Sequence, residues 1–403
     1  MVLWRNWSGS VGANPRSIEV PPSEVELASL IVRAQQGQAN VRVIGSGHSF
    51  TALCATDDLL VSLDGLQGMV GAVPATLEAS VWAGTKLSQL GVLLLSNGVA
   101  LENQGDVDYQ SVAGAISTGT HGTGSRFGSL STQVTALRLI LASGEVVGCS
   151  QTHEPEIFGA ARVSLGLLGV ISQVTLRVVP AYRLRERTWV ADVGECLAEF
   201  ESLDRLNRHV EFFWVPKVDR CALKALSLTD ADPSGAPPAE LAPTGTIERY
   251  LLPERVDWSC RVYPSERTVL FNEMEFAVPA ASGPDCFLEI RHLMLEKHRN
   301  VKWSVEYRSL KADDIDLSPA YERDAVTISV HQGAELSYQP FFHDVEAIFR
   351  NHRGRPHWGK LHSHVGRELR ELYPMWDRFH AMREKLDPRG RFMNPYLRQV
   401  LLS

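Results

Sequence analysis

The sequence has no basic excess: 40 lysines and arginines stand against 47 aspartates and glutamates, a net charge of −7. A chain of that balance has little to gain from counterion release at a phosphate backbone, so nucleic acid is not an expected partner. No apolar run reaches the roughly 18 residues of a membrane-spanning helix, and the longest candidates, such as 91–100, are short and interrupted. Residues 1–7 hold no basic stretch leading into an apolar stretch and a small-residue cleavage site, so a cytoplasmic protein is expected. The six cysteines (54, 149, 196, 221, 260 and 286) include no Cys-x-x-Cys pair, and are expected as reduced thiols rather than a disulfide framework or zinc site. No internal repeat is evident. What remains is 403 residues, 44% hydrophobic and 22% charged, a globular composition with length for two domains.

Apolar positions three and four apart predict a helix over 24–36, after Pro21-Pro22 and before Gly37. Val41–Ile44 then reads as a strand running into the glycine-rich turn Gly45-Ser46-Gly47-His48-Ser49-Phe50. Further strands are expected near 60–63, 77–82, 136–141 and 170–179, with a helix near 87–95. This alternation is too irregular for repeating βαβ units, so the class is α+β. Pro180 closes the last of these strands and marks a domain boundary. Beyond it, strands are expected at 268–278, 303–310 and 326–332, and helices at 286–298, 341–349 and 375–386. The stretch 228–245, rich in proline, alanine and glycine, reads as an exposed loop.

Gly45-x-Gly47 after a strand suits close approach of a pyrophosphate, but position 50 is phenylalanine where a dinucleotide fingerprint has its third glycine, and no helix follows. A nicotinamide-type Rossmann site is therefore disfavoured. A second small-residue stretch, 111–124, holds four glycines and five hydroxyl residues in 14 positions. It supplies many donors with little bulk, as a polyphosphate requires.

Gly45-Ser-Gly-His48-Ser-Phe, Gly105-Asp-Val-Asp, Ser111-Val-Ala-Gly114 with Thr118-Gly-Thr-His-Gly122, Ser164-Leu-Gly-Leu-Leu-Gly169, Glu306-x-Arg308, Tyr321-x-Arg-Asp324 and Arg355-Pro-His-Trp-Gly-Lys360 follow one another in the chain. In these motifs and their order the sequence resembles the aldonolactone oxidase (L-gulono-1,4-lactone and D-arabinono-1,4-lactone oxidase-like) and alditol oxidase branch of the vanillyl-alcohol oxidase flavoprotein superfamily. The resemblance implies an FAD-binding domain over 1–180, a substrate or cap domain on an antiparallel sheet with flanking helices over 181–385, and a segment 386–403 returning to the FAD domain. It implies FAD, tethered through His48 to the flavin 8α-methyl group. It also implies that Gly45, Ser46, Gly47, Ser49, Gly105, Ser111, Gly114, Thr118, Gly119, Thr120, His121, Val170 and Lys360 surround the cofactor. The substrate it implies is a small sugar lactone or a polyol. Dioxygen is the implied acceptor, since Gly105 has no side chain to shield the flavin; a dehydrogenase using another acceptor is the alternative.

In a strand, Glu306 and Arg308 point to one face while Val305 and Tyr307 point to the other. The resemblance sets Arg308 and Lys360 near the flavin and the substrate, where cations offset developing negative charge. Glu306, His331 and His357 are candidate proton acceptors. Asp106 stands where alditol-oxidising relatives have serine, and Ser329 and His331 where they have histidine and threonine. Those departures favour a lactone over a linear alditol. The histidines 352, 357, 362 and 364 invite a metal, but no carboxylate or thiolate accompanies them at ligand spacing, and none is expected.

Overall fold

The computed structural model describes residues 3–73, 75–235, 246–265 and 269–403. The helix Glu24–Gln36 begins where the Ser23 side chain accepts from the Glu26 N–H at 3.2 Å, and it buries Leu27, Ile31 and Ala34 along one stripe. It joins two strands of a three-stranded parallel sheet, Ser17–Glu19 and Val41–Ile44, with Leu59–Ser62 between them. Beside this lies a five-stranded antiparallel sheet in the order Val146–Ser150, Val134–Ile140, Val170–Arg177, Glu78–Trp82, Met69–Val73. These elements share one apolar core, which includes Leu27, Leu90, Ile116 and Val174.

The second half is built on an eight-stranded antiparallel sheet in the order Arg255–Trp258, Arg183–Asp192, Arg220–Thr229, His209–Val215, Val305–Leu310, Ala325–Gly333, Phe271–Pro279, Arg355–Pro356. One face packs against the helices Val193–Leu206, Gly283–Glu296 and Gln339–Asn351, with Phe212, Tyr307, Phe287 and Val345 in that core. Alternation along the strands sends the charged residues to the opposite face, which looks onto the first unit. Glu211 lies opposite Arg308 and Lys224, and Glu275 lies opposite Ser329.

The chain returns to the first unit earlier than residue 386. The helices Gly366–Leu372 and Trp376–Leu386 already place Leu369, Tyr373, Phe379 and Leu386 in the first core, because their apolar stripes face it; Leu397 of Pro395–Leu402 joins the same core. Of the loop expected over 228–245, residues 228–235 are described, with the strand Arg220–Thr229 entering it, and 236–245 lie outside the described residues. Thr268, where a strand was expected to start, also lies outside them; that strand is Phe271–Pro279.

Candidate active site

Two adjoining cavities, of about 850 and 750 Å³, meet at His48, Ser49, Gln110 and Thr118, which line both; the first lies within the first unit, and the second runs between its loops and the charged face of the large sheet. The first is walled by Gly45, Ser46, Gly47, Ser111, Gly114 and Val170, among others. Local geometry explains the glycines. A Cβ on Gly45 would stand 2.0 Å from the Ser111 Oγ, so the two loops meet only if residue 45 has no side chain. Gly47 has φ +67°, in the left-handed region that favours glycine. Ser111 caps the helix Val112–Ser117, accepting from the Gly114 N–H at 3.2 Å. Gly119 is off both walls and turns the chain after that helix, with φ +73°.

Sequence reasoning had no use for Arg42, which turns out to hold the loop Ser164–Gly169 in place. Its guanidinium donates to Leu53 O at 2.8 Å and Leu165 O at 2.7 Å.

The second cavity carries Gly105, Asp106, Thr120, His121, Arg308, His357 and Lys360, all singled out by sequence, together with Glu273 and Glu275, which were not. Glu275 is the hub. It accepts from His121 Nε2, Arg308 Nη2 and Ser329 Oγ, each at 2.6 Å. Burial pushes its carboxyl up, but Arg308 and then His121 outweigh burial and hold it well below the carboxylate range. Glu273 pairs with Lys360, and its Oε1 is 3.6 Å from His331 Nε2; against burial, Lys360 and His331 hold it low too. The available signal was Glu273-x-Glu275 in a strand, two carboxylates on one face.

Glu306 and His331 are not on the cavity wall and lie behind it. Their ligand-type atoms and those of Glu273 are within 4.8 Å of one another, and Glu306 reaches Arg308 at 3.2 Å. Burial raises the Glu306 carboxyl to about 8 despite Arg308. His331 Nδ1 donates to Ser304 O at 3.0 Å. His357 Nδ1 accepts from the Gly359 N–H at 3.1 Å, and burial presses the ring down to about 3. Asp106 accepts from Ser265 Oγ at 3.3 Å, and its charge is felt at Glu306 and Arg308.

His48 stacks between Trp7 and Tyr109, with centroids 5.4 and 6.3 Å away. Burial, then the charges of Lys360 and Lys86, push its imidazole down to about 4, so it is neutral at pH 7.

The four histidines weighed as metal ligands do not converge. His352 pairs with Glu289 at 3.0 Å, His364 pairs with Glu346 at 2.9 Å, and the rings of His362 and His364 are 6.1 Å apart. The groupings His121–Glu275–His357, on the cavity wall, and Glu273–Glu306–His331, mostly behind it, have ligand-like spacing, but Arg308 and Lys360 already supply positive charge to their carboxylates.

Residues 15–150 match the FAD binding domain family, and 174–252 together with 244–400 match the D-arabinono-1,4-lactone oxidase family. The chain belongs to the D-arabinono-1,4-lactone oxidase family. It is 37% identical to an L-gulono-1,4-lactone dehydrogenase of Mycobacterium tuberculosis over 99% of each chain. It is 31% identical to the L-gulonolactone oxidase of Mus musculus over 99% of this chain and 98% of that one. A cholesterol oxidase from Brevibacterium sterolicum has the same fold, with a TM-score of 0.85 at 17% identity over 99% of this chain and 96% of that one. The architecture is thus the two-domain α+β fold of the vanillyl-alcohol oxidase type, and the enzyme is an FAD-dependent oxidoreductase.

FAD fits these cavities on their own chemistry. Gln110 Oε1, on the wall common to both, is buried with no partner, and so is Arg308 Nε in the second. An elongated ligand with polar groups along its length would satisfy both. No helix among the described residues is long and apolar enough to cross a membrane.

Proposed function

We propose that this enzyme oxidises a secondary alcohol of an aldono-1,4-lactone, of the L-gulono-, L-galactono- or D-arabinono- class, to the 2-keto lactone, which can enolise to an ascorbate-type product. The observation that carries this reading is the second cavity, which buried Arg308 and half-buried Lys360, each held by a carboxylate, line together with Asp106. Asp106 accepts hydrogen bonds from ring hydroxyls, and Arg308 Nε donates to the carbinol oxygen. FAD supplies the two-electron acceptor for the carbinol hydride. The hydroxyl proton passes toward Glu306 behind Glu273: its carboxyl is poised near neutral pH, whereas Glu273 and Glu275 are held too acidic and the His357 Nδ1 lone pair is already engaged. Dioxygen, giving hydrogen peroxide, is the acceptor we assign, on the absence of a side chain at Gly105. All six cysteines are unpaired, in keeping with a reducing cytoplasm.

Anaerobic mixing of the purified yellow enzyme with aldonolactones, alditols and aromatic alcohols, followed by air, tests both substrate and acceptor. Bleaching by lactones is expected. Bleaching by alditols alone would replace the lactone reading with a terminal-alcohol oxidase, and a flavin bleached by no member of the panel would mean that the site has lost its chemistry.

We also propose the covalent tether at His48, whose neutral imidazole lines both cavities and is a competent nucleophile. Acid-precipitated wild type should stay yellow, and His48→Ala should release its FAD into the supernatant. Free FAD from acid-treated wild type would overturn the tether.

A further inference from the structure

His121 differs from the buried His209 and His357 in what faces its two ring nitrogens, and from His331, whose Nε2 stands 3.6 Å from Glu273, in the closeness of its carboxylate. His209 Nδ1 lies 2.7 Å from Thr123 O while its Nε2 meets the Tyr263 hydroxyl, a group able to donate; one ring proton satisfies that arrangement. His357 Nδ1 accepts from the Gly359 N–H, so its single proton belongs on Nε2. At His121 both neighbours are oxygen acceptors: Gly122 O lies 2.8 Å from Nδ1 and the Glu275 carboxylate 2.6 Å from Nε2. A carbonyl cannot donate, so Nδ1 carries a proton. Placing the other proton on Glu275 would leave Arg308 Nη2, 2.6 Å away, against a neutral acid in a site where the Glu275 and Arg308 side chains are 1% and 8% exposed.

We infer that His121 is held as an imidazolium, a second fixed cation beside Arg308 in the flavin cavity, with Glu275 as the positioning carboxylate that both share. The groups facing this ring come from four elements. Glu275 and Ser329 lie on adjacent strands of the large sheet, Arg308 approaches through Glu275, and His357 stands with its ring centroid 5.8 Å away on the segment that ends in Lys360. Glu275 bonds a residue of each unit, so one carboxylate fixes both cations across the junction. A protonated His121 adds one positive charge to the cavity wall relative to the neutral ring. That charge favours the reduced, more negative state of a bound flavin.

The inference rests on the proposed oxidation only for its benefit to catalysis; the protonation state of His121 is read without substrate. Nitrogen-15 spectra of the holoenzyme, with histidines assigned through the backbone, should show both His121 nitrogens protonated at pH 8, where His209 and His357 each show one bare nitrogen. Glu275→Gln should leave His121 with a bare nitrogen at the same pH. In dye-coupled reduction, H121Q should shift the reduced-to-oxidised flavin ratio at fixed potential toward oxidised, on the order of tenfold for one nearby charge. A role confined to structure would leave that ratio unmoved. A bare nitrogen on wild-type His121 at pH 8, which needs no variant to observe, overturns the inference, as does an unchanged flavin potential in H121Q. If both readouts come out as expected and no lactone reduces the flavin, the substrate assignment fails and the cation stands.

Discussion

Arg308 reaches both Glu275 and Glu306 through one nitrogen, Nη2, and keeps Nε buried without a partner. A lysine there could keep the ion pair but could not aim a second donor at the cavity, because its charge sits on a flexible stem rather than a planar fork. Arg308→Lys should therefore slow flavin reduction on the order of 10²-fold, as removal of one charge-stabilising donor does. Single-turnover bleaching measures that step, and a change confined to substrate affinity would count against the role. Glu306 adds a pH signature. With its carboxyl raised to about 8, the group is protonated below that pH and unable to accept, so the reduction rate should climb with pH and level off above about 8. Glu306→Gln should flatten the climb; a profile that stays flat in wild type between pH 6 and 9 removes Glu306 as acceptor. The Glu306–Arg308 pair was legible in the sequence because period-two alternation alone puts both on one face. Glu273 and Glu275 were not, since two carboxylates in a strand carry no mark of burial until the cations that hold them, from distant strands and loops, are known.

At the scale of elements, the glycine loops were the most readable part of the chain, and the structure gives different reasons for different glycines. Gly45 is required by the contact with Ser111, and Gly47 by its positive φ. Gly105 sits on the wall of the second cavity, where a Cβ would come 3.0 Å from His121 O and 3.4 Å from Thr120 Cγ2, a contact that needs a shift of a few tenths of an ångström. Gly105→Ala should still fold, and its added methyl should slow reaction of the reduced flavin with air. Stopped-flow reoxidation reads this directly, and equal slow rates for wild type and variant would remove both Gly105 as gate and the oxidase assignment. The helix Glu24–Gln36 and the strand Val41–Ile44 fall where apolar spacing put them. The strands Arg183–Asp192, His209–Val215 and Arg220–Thr229 were not foreseen. All seven residues of His209–Val215 are buried, so burial on both faces erases the alternation that would announce a strand. The return of the chain at 366–386 was missed for a related reason: an apolar stripe says that a helix packs, not which core it packs against.

Over the whole molecule the two units are joined by polar contacts as well as by the second cavity, which both line. His209, 1% exposed, links Thr123 of the first unit to the sheet of the second. Burial, with lesser pressure from Arg208 and Lys224, pushes this imidazole down to about 3. Burial also leads the shifts of His357 to about 3 and of His48 and His362 to about 4, all from an ordinary value of 6.5. A histidine lowered in the folded state takes up a proton on unfolding once the pH drops below 6.5, so the stability it confers is complete above that value and is lost as the pH falls. Two acids act in the opposite sense: Glu306, raised to about 8, and Asp313, raised by burial to about 6, bind protons in the folded state that the unfolded chain has released. In the holoenzyme His48 carries the flavin in the tether we propose, but His209, His357 and His362, together with the lowered acids Glu273 and Glu346, outweigh the two raised acids, so unfolding takes up protons between pH 6 and 4.5 and stability falls across that window by ~1.4 kcal/mol per pH unit for each net proton. Urea unfolding of the holoenzyme across that window should show this slope. His209→Gln keeps a donor for Thr123 O but cannot titrate, so its slope should be shallower than wild type by about 1.4 kcal/mol per pH unit. Identical slopes for the two proteins would mean that His209 titrates alike in both states and that its neutral, buried bridge is not what acid breaks.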